Sequence, residues 1–227
     1  MVNNEIKETF KKVSLNYIGN SNSLHKLGLD SKKLENAATK QIEQILNLKD
    51  KEIIYTSSRE ESNSLAILGY ISNHKNKNII AFSNCDISIL ETLDFLNKYN
   101  VTTKVINDID SLKENIDNDT ILICTSNKDD IKLINKEIKE SNKIKVLLDI
   151  TNNFNINFDF NSCDFISFDY QSCNSIEGIG CLIKSKNIEL EPLFHGGDST
   201  TIYRSGTPAL PLIVSFSKAL NLMNKNK

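Results

Sequence analysis

Apolar positions along the chain follow two rhythms that alternate from end to end. Between residues 4 and 17, Ile6, Phe10, Val13 and Tyr17 recur at helical spacing. A second helix is predicted from about 31 to 48, with Leu34, Ala37, Ile42, Ile45 and Leu46 on its apolar side and Asp30 as its N-cap. Ile53-Ile54-Tyr55 has the bulk of a short strand. The polar run Thr56 to Glu61 then leads into a helix carrying Leu65, Leu68 and Ile71. Strands predicted at 78–82, 101–106, 120–124 and 144–149 alternate with helices at 86–98, 109–116 and 128–140. Two more strands follow at 164–168 and 180–184, then a helix at 211–223, and the Asn-Lys tail from Asn224 is expected to fray. Strands alternating with helices predict an α/β fold, a three-layer α-β-α arrangement around a mainly parallel mixed sheet.

Two loops interrupt this pattern with polar residues in unusual density. Gly19 to Gly28 is rich in turn formers. Residues 163 to 180 begin as the strand Phe165, Ile166, Phe168, become a polar loop, and re-enter a strand after Gly178. That puts a polar loop at the carboxyl end of a strand, where open α/β sheets hold their ligands.

Composition narrows the function classes. The 227 residues carry a formal charge of −2. Lys and Arg are interleaved with Asp and Glu, so no basic field exists to attract nucleic acid or anionic lipid. No apolar run approaches the roughly 20 residues of a membrane helix. The start Met-Val-Asn-Asn-Glu-Ile-Lys-Glu lacks the apolar core of a signal peptide, so a cytoplasmic location is expected. The five cysteines, Cys85, Cys124, Cys163, Cys173 and Cys181, show no C-x-x-C spacing, which suggests neither a metal site nor a dithiol. Cys124, Cys163 and Cys181 sit in or beside strand-like runs and are expected to be buried, inert thiols.

Five segments carry a resemblance. They are Gly19 to His25, Thr56-Ser57-Ser58-Arg59-Glu60-Glu61-Ser62-Asn63, Asp149 at a strand end, the loop 163–180, and His195-Gly196-Gly197 with Arg204-Ser205-Gly206-Thr207. In their order and spacing they resemble the cysteine desulfurases, a branch of the class V aminotransferases. The resemblance spans about residues 19 to 223. It implies the large domain of a fold type I pyridoxal phosphate (PLP) transferase over 19–210, preceded by a helix over 1–18. A terminal helix and tail over 211–227 would follow, with the family's C-terminal small domain absent. It also implies residual cofactor contacts at Ser57, Ser58, Asp149, Asn152, Arg204, Ser205 and Thr207.

The same alignment shows what the chain lacks. The family's strand is followed by a serine, a histidine and a Schiff-base lysine; here those positions are Asp169, Gln171 and Ser172. A hydroxyl has no nitrogen with which to form the imine that PLP chemistry needs. Lys184 and Lys186 lie beyond the next strand. The family's phosphate loop has a glycine, a small residue and a threonine, where this chain has Ser58, Arg59 and Glu60. A carboxylate about 4 Å from a phosphate costs roughly 4 kcal/mol at an effective dielectric near 20. Glu60 also suits a helix start, and Arg59 offsets the repulsion only if it turns inward. The histidine that stacks on the cofactor ring becomes Asp86, expected instead to cap the helix from 87, and the family's glutamine becomes Asn152. Asp149 matches the partner of the pyridinium nitrogen, yet an aspartate at a strand end also caps turns. None of the cysteines occupies the position of the family's persulfide cysteine.

These departures predict a degenerate desulfurase-like protein without bound cofactor, catalytic residues or metal. It would act as a binding partner in a homodimer or in a heterodimer with a full-length desulfurase, or persist as a remnant with no current role. In the family the Arg-Ser-Gly-Thr loop crosses a dimer to the neighbour's cofactor phosphate; here it also suits a tight turn set by Gly206 and Pro208. Two other readings remain open: a PLP enzyme of altered chemistry, and a small-anion module with Arg59 as its clamp. With the small domain gone, Ile213, Phe216 and Leu220 are expected to need cover from another chain.

Overall fold

The computed structural model describes every residue except 1, 75, 76, 140, 142, 198, 200 and 227. Helix α1 (Asn4–Asn16) is capped by Asn3, whose side chain accepts from the Glu5 N–H. Helix α2 (Lys26–Ile45) starts five residues before the expected point. Its cap is His25, which accepts from the Gly28 N–H at 3.2 Å, not Asp30. Gly28 belongs to the helix because a Cβ there would lie 2.3 Å from the Ser23 carbonyl oxygen. The residue that looked like a turn former is therefore a close-approach site.

The alternating core follows. It comprises β1 (Lys51–Thr56), α3 (Arg59–Ile71), β2 (Asn78–Phe82), α4 (Ile87–Asn97), β3 (Thr102–Ile106), α5 (Leu112–Asn115), β4 (Thr120–Thr125), α6 (Ile131–Glu137) and β5 (Lys145–Asp149). Then come β6 (Phe165–Asp169), β7 (Gly180–Ser185) and α7 (Leu210–Lys225). The helix expected over 128–140 is a 3-10 turn over Lys128–Asp130 followed by α6; residue 140 lies outside the described residues. The expected frayed tail is helical as far as Lys225, and residue 227 lies outside the described residues.

The seven strands form one sheet in the order β1-β7-β6-β5-β4-β2-β3. Strand β7 runs antiparallel to β1 and β6, and every other pairing is parallel. The expected mainly parallel mixed sheet is thus the observed one. Strands β4 and β6 are buried at every position, as central strands covered on both faces require. The carboxyl ends of β1, β5 and β6 reach one edge of the sheet, with Thr56 and Asp169 both paired to Gly180. Gly180 is obligatory, since a Cβ would lie 2.4 Å from the Ser58 carbonyl.

Helix α7 packs on α1 and α2. Ser217 donates to the Gln41 Oε1 at 2.7 Å and to the Ala38 carbonyl at 3.1 Å, and Lys218 pairs with Glu5 at 2.6 Å. Ile213, Phe216 and Leu220 are buried within the chain. The expectation that these three need an outside cover is therefore overturned. Their side of α7 meets the sheet, where the Phe216 ring stacks on Phe168 with centroids 5.6 Å apart.

Candidate functional site

The carboxyl edge of the sheet gathers the polar residues singled out by sequence. Strand β1 ends at Thr56, whose hydroxyl bonds to Ser62 at 2.7 Å and to the Ser58 carbonyl at 2.9 Å. This folds Ser57 and Ser58 back over the start of α3. Ser58 is the N-cap of that helix, accepting from the Glu61 N–H at 3.4 Å. Ser57 donates to the Glu61 carboxylate through its N–H at 2.7 Å and its hydroxyl at 2.6 Å. The loop that by resemblance would offer donors to a phosphate thus spends two of them on its own carboxylate.

Arg204 completes that arrangement, donating from Nε to the other Glu61 oxygen at 3.0 Å. Burial pulls the Glu61 carboxyl upward, but Arg204 and Ser57 outweigh it and hold it below the ordinary glutamate range. Arg204 therefore reaches the phosphate loop of its own chain. The rest of its loop is pinned by the turn at 19–25: Asn20 donates to the Thr207 hydroxyl at 3.3 Å, and Asn22 to the Gly206 carbonyl at 3.4 Å. Gly206 has φ +126°, a conformation that favours glycine. The Ser205 N–H donates to the Phe194 carbonyl at 3.3 Å. A cavity of about 160 Å³ lies under this loop, lined among others by Tyr55, Ser57, Arg204 and Thr207.

Asp149, at the end of β5, is buried. One oxygen accepts from the Thr151 N–H at 3.0 Å, the turn-capping role expected of it. The other accepts from the Asn63 amide at 2.9 Å. Burial pushes the Asp149 carboxyl up, against the pull of Asn63, Thr151 and Arg59. Asn63 is fully buried and also bonds Ser88 at 2.9 Å and the Ser167 hydroxyl. The sequence reading gave Asn63 no role. Its signal was a polar side chain on the same helix face as Ala66, Ile67 and Tyr70, all buried.

Ser172 lies in a 3-10 turn, Tyr170–Cys173, directly after β6. It is buried, and its hydroxyl points to the Thr151 carbonyl at 3.4 Å. Asp169, at the strand end, caps that turn by accepting from the Gln171 N–H at 2.9 Å. Its carboxyl is also pushed up by burial. Lys184 supplies no amine to this edge: it sits near the opposite end of β7, with Nζ bonded to the Ile188 carbonyl at 2.7 Å and to Glu52 at 3.0 Å. Four residues of strand place it about 14 Å from Gly180.

Arg59 turns inward, but toward side chains of its own chain. Its Nη2 pairs with Asp86 at 2.9 Å, its Nη1 donates to Asn152 at 3.3 Å, and its Nε lies 3.6 Å from Glu60. Asp86 caps α4 as expected, its Oδ1 accepting from the Ser88 N–H at 3.0 Å. Asn152, by contrast, is exposed apart from this contact. The clamp expected of Arg59 is already engaged by Asp86.

All five cysteines are free and buried. Burial raises the Cys85 and Cys163 thiols to about 12, so neither is a thiolate at neutral pH. Among the described residues no group of three His, Cys, Asp or Glu side chains is arranged to hold a metal ion. No helix among them is long and apolar enough to cross a membrane.

Comparison with known proteins gives the family and the fold. The model of the aminotransferase class-V family matches residues 1–227. The cysteine desulfurase IscS of Dictyoglomus turgidum is 28% identical over 96% of this chain and 60% of its own length. Cysteine desulfurase IscS 1 of Archaeoglobus fulgidus is 24% identical over 99% of this chain and 63% of its own. A solved NifS-like protein superposes with a TM-score of 0.92 at 22% identity, over 99% of this chain and 67% of that one. The chain thus spans about three fifths of the length of the curated relatives it matches. It belongs to the aminotransferase class-V family, with cysteine desulfurases as its relatives.

Proposed function

We propose that this chain is a non-catalytic cysteine desulfurase-like protein that works by pairing, either with itself or with a complete desulfurase. The observation that carries the reading is the buried hydroxyl of Ser172, at the position that by the resemblance holds the family's amine. PLP does not fit the residues present. Glu60 and Glu61 put two carboxylates at the phosphate loop, and the donors of Ser57 are already committed to one of them. Arg59 ties Asp86 to Asn152, two side chains that by the resemblance would face the cofactor ring. No step through the cofactor is assigned to this chain.

Pairing is supported by where apolar side chains meet solvent. Leu24 is 89% and Ile202 81% exposed, and Leu27 and Phe194 are half exposed. Leu24 lies on the turn that pins Gly206 and Thr207, and Phe194 touches Ser205 and Arg204. Leu24, Phe194 and Ile202 are thereby on segments that adjoin the Arg-Ser-Gly-Thr loop, and apolar exposure of this kind marks partner surfaces. By the resemblance, that loop is the one offered to a neighbour.

Two measurements test the reading. The purified chain, incubated with PLP and freed of excess by desalting, keeps no visible band and gains no phosphopyridoxyl group on borohydride reduction; a retained imine band whose reduction leaves a stoichiometric adduct on one lysine overturns the non-catalytic assignment. Co-expression with a complete cysteine desulfurase, or the chain alone, gives a dimer on gel filtration. A heterodimer is expected to lose cofactor affinity in the partner subunit on Arg204→Ala with Thr207→Ala. A monomer under both conditions refutes pairing.

A further inference from the structure

Four departures from the family pattern meet at one point in space. By the resemblance, a small residue, a threonine, a histidine and a glutamine stand where this chain has Arg59, Glu60, Asp86 and Asn152. Of the four, Arg59 and Asp86 bring charge into a buried setting, whereas the Glu60 side chain is 57% exposed and Asn152 is exposed. The Asp86 side chain is only 8% exposed and that of Arg59 18%, and an isolated buried charge is strongly destabilising. Together they satisfy one another. The rigid fork of one guanidinium reaches Asp86 at 2.9 Å, Asn152 at 3.3 Å and, more loosely, Glu60 at 3.6 Å.

The three partners lie on different segments. Glu60 is in the first turn of α3, Asp86 caps α4, and Asn152 follows β5. Asp86 uses separate oxygens for its two tasks: Oδ1 holds the Ser88 N–H and hydroxyl at 3.0 and 2.6 Å, and Oδ2 holds Arg59. The positive field also reaches Asp149 and Asp169, where it opposes the effect of burial.

We propose that Arg59 stands in for the cofactor as an internal brace. It joins α3, the cap of α4 and the turn after β5 through one side chain, so the chain reaches its full stability with no cofactor bound. This rests on the reading that the cleft takes no PLP, and it adds that the replacements form a coupled set. Arg59 and Asp86 each supply the charge that the burial of the other requires.

A thermal double-mutant cycle tests it. Asp86→Asn keeps the cap oxygen and removes the charge, and Arg59→Gln removes the guanidinium. Each single change is expected to lower Tm by roughly 6–20 °C, and the double change to lower it by no more than the worse single. Drops that simply add overturn the brace. If Arg59→Gln does not fold, Arg59→Lys and Asp86→Asn complete the cycle. Lysine keeps the charge without the fork, so it is expected to fall between wild type and Arg59→Gln, and a Tm equal to wild type in every variant also overturns the proposal. The premise fails separately: a rise in wild-type Tm on adding PLP defeats the empty-cleft reading whatever the cycle shows.

Discussion

Phe216→Ala tests whether α7 closes the core of this chain without help. The Phe216 ring is fully buried, stacked on Phe168 at 5.6 Å, on a helix bonded to α2 through Ser217 and to α1 through Lys218. Truncating a phenylalanine in such a site costs about 3–5 kcal/mol, the lost transfer energy plus the cavity left behind. The ring pair contributes roughly 0.5–1.5 kcal/mol of that. At about 2–4 °C per kcal/mol for a chain of this length, Tm should fall by roughly 10 °C. Thermal unfolding followed by far-UV circular dichroism measures that fall, and the midpoint and slope of urea unfolding add a second reading. An unchanged m-value with a lower midpoint means the helix remains docked over a cavity. A lower m-value means α7 has come away. A midpoint shift worth less than about 1 kcal/mol would refute the reasoning, because the Phe216 face would then be held loosely and await another surface.

Two further outcomes follow from the site. Ser172→Lys, incubated with PLP and desalted, is expected to keep no visible band, because Arg59 is still tied to Asp86 and Asn152 and Glu60 still puts a carboxylate in the first turn of α3; a retained band would show that the amine was all that was missing. The Asp149 carboxyl is raised by burial, so the folded state binds its proton more tightly than the unfolded state, whose pKa is about 3.9. Its contribution is therefore most favourable below that value and declines as pH rises through the folded pKa. Urea titrations of wild type and Asp149→Asn should show wild type gaining on the variant as pH falls from 7 toward about 4. A gain in the opposite direction contradicts the assignment.

Much of the architecture was legible in local pattern. The strand at 78–82 matches β2 at both ends, and the polar loop after 168 lies at the carboxyl edge as expected. Asp86 as a helix cap and Asp149 as a turn cap were both readable, because a cap bonds within a few residues of itself. The start of α2 was misread, since Gly28 serves a contact with Ser23 that spacing alone does not reveal.

Periodicity reports which side of an element is apolar, and side-chain chemistry reports what a residue is able to bond. Neither names the partner. Arg59 meets Asn152 across 93 positions and Arg204 meets Glu61 across 143, and these pairings exist only once the crossovers have brought the strand ends to one edge. The face of α7 was likewise known to be apolar, but only packing against α1, α2 and Phe168 showed that the chain covers it itself. Local spacing set the elements, while long-range closure set which charges cancel and which surfaces remain open to a partner.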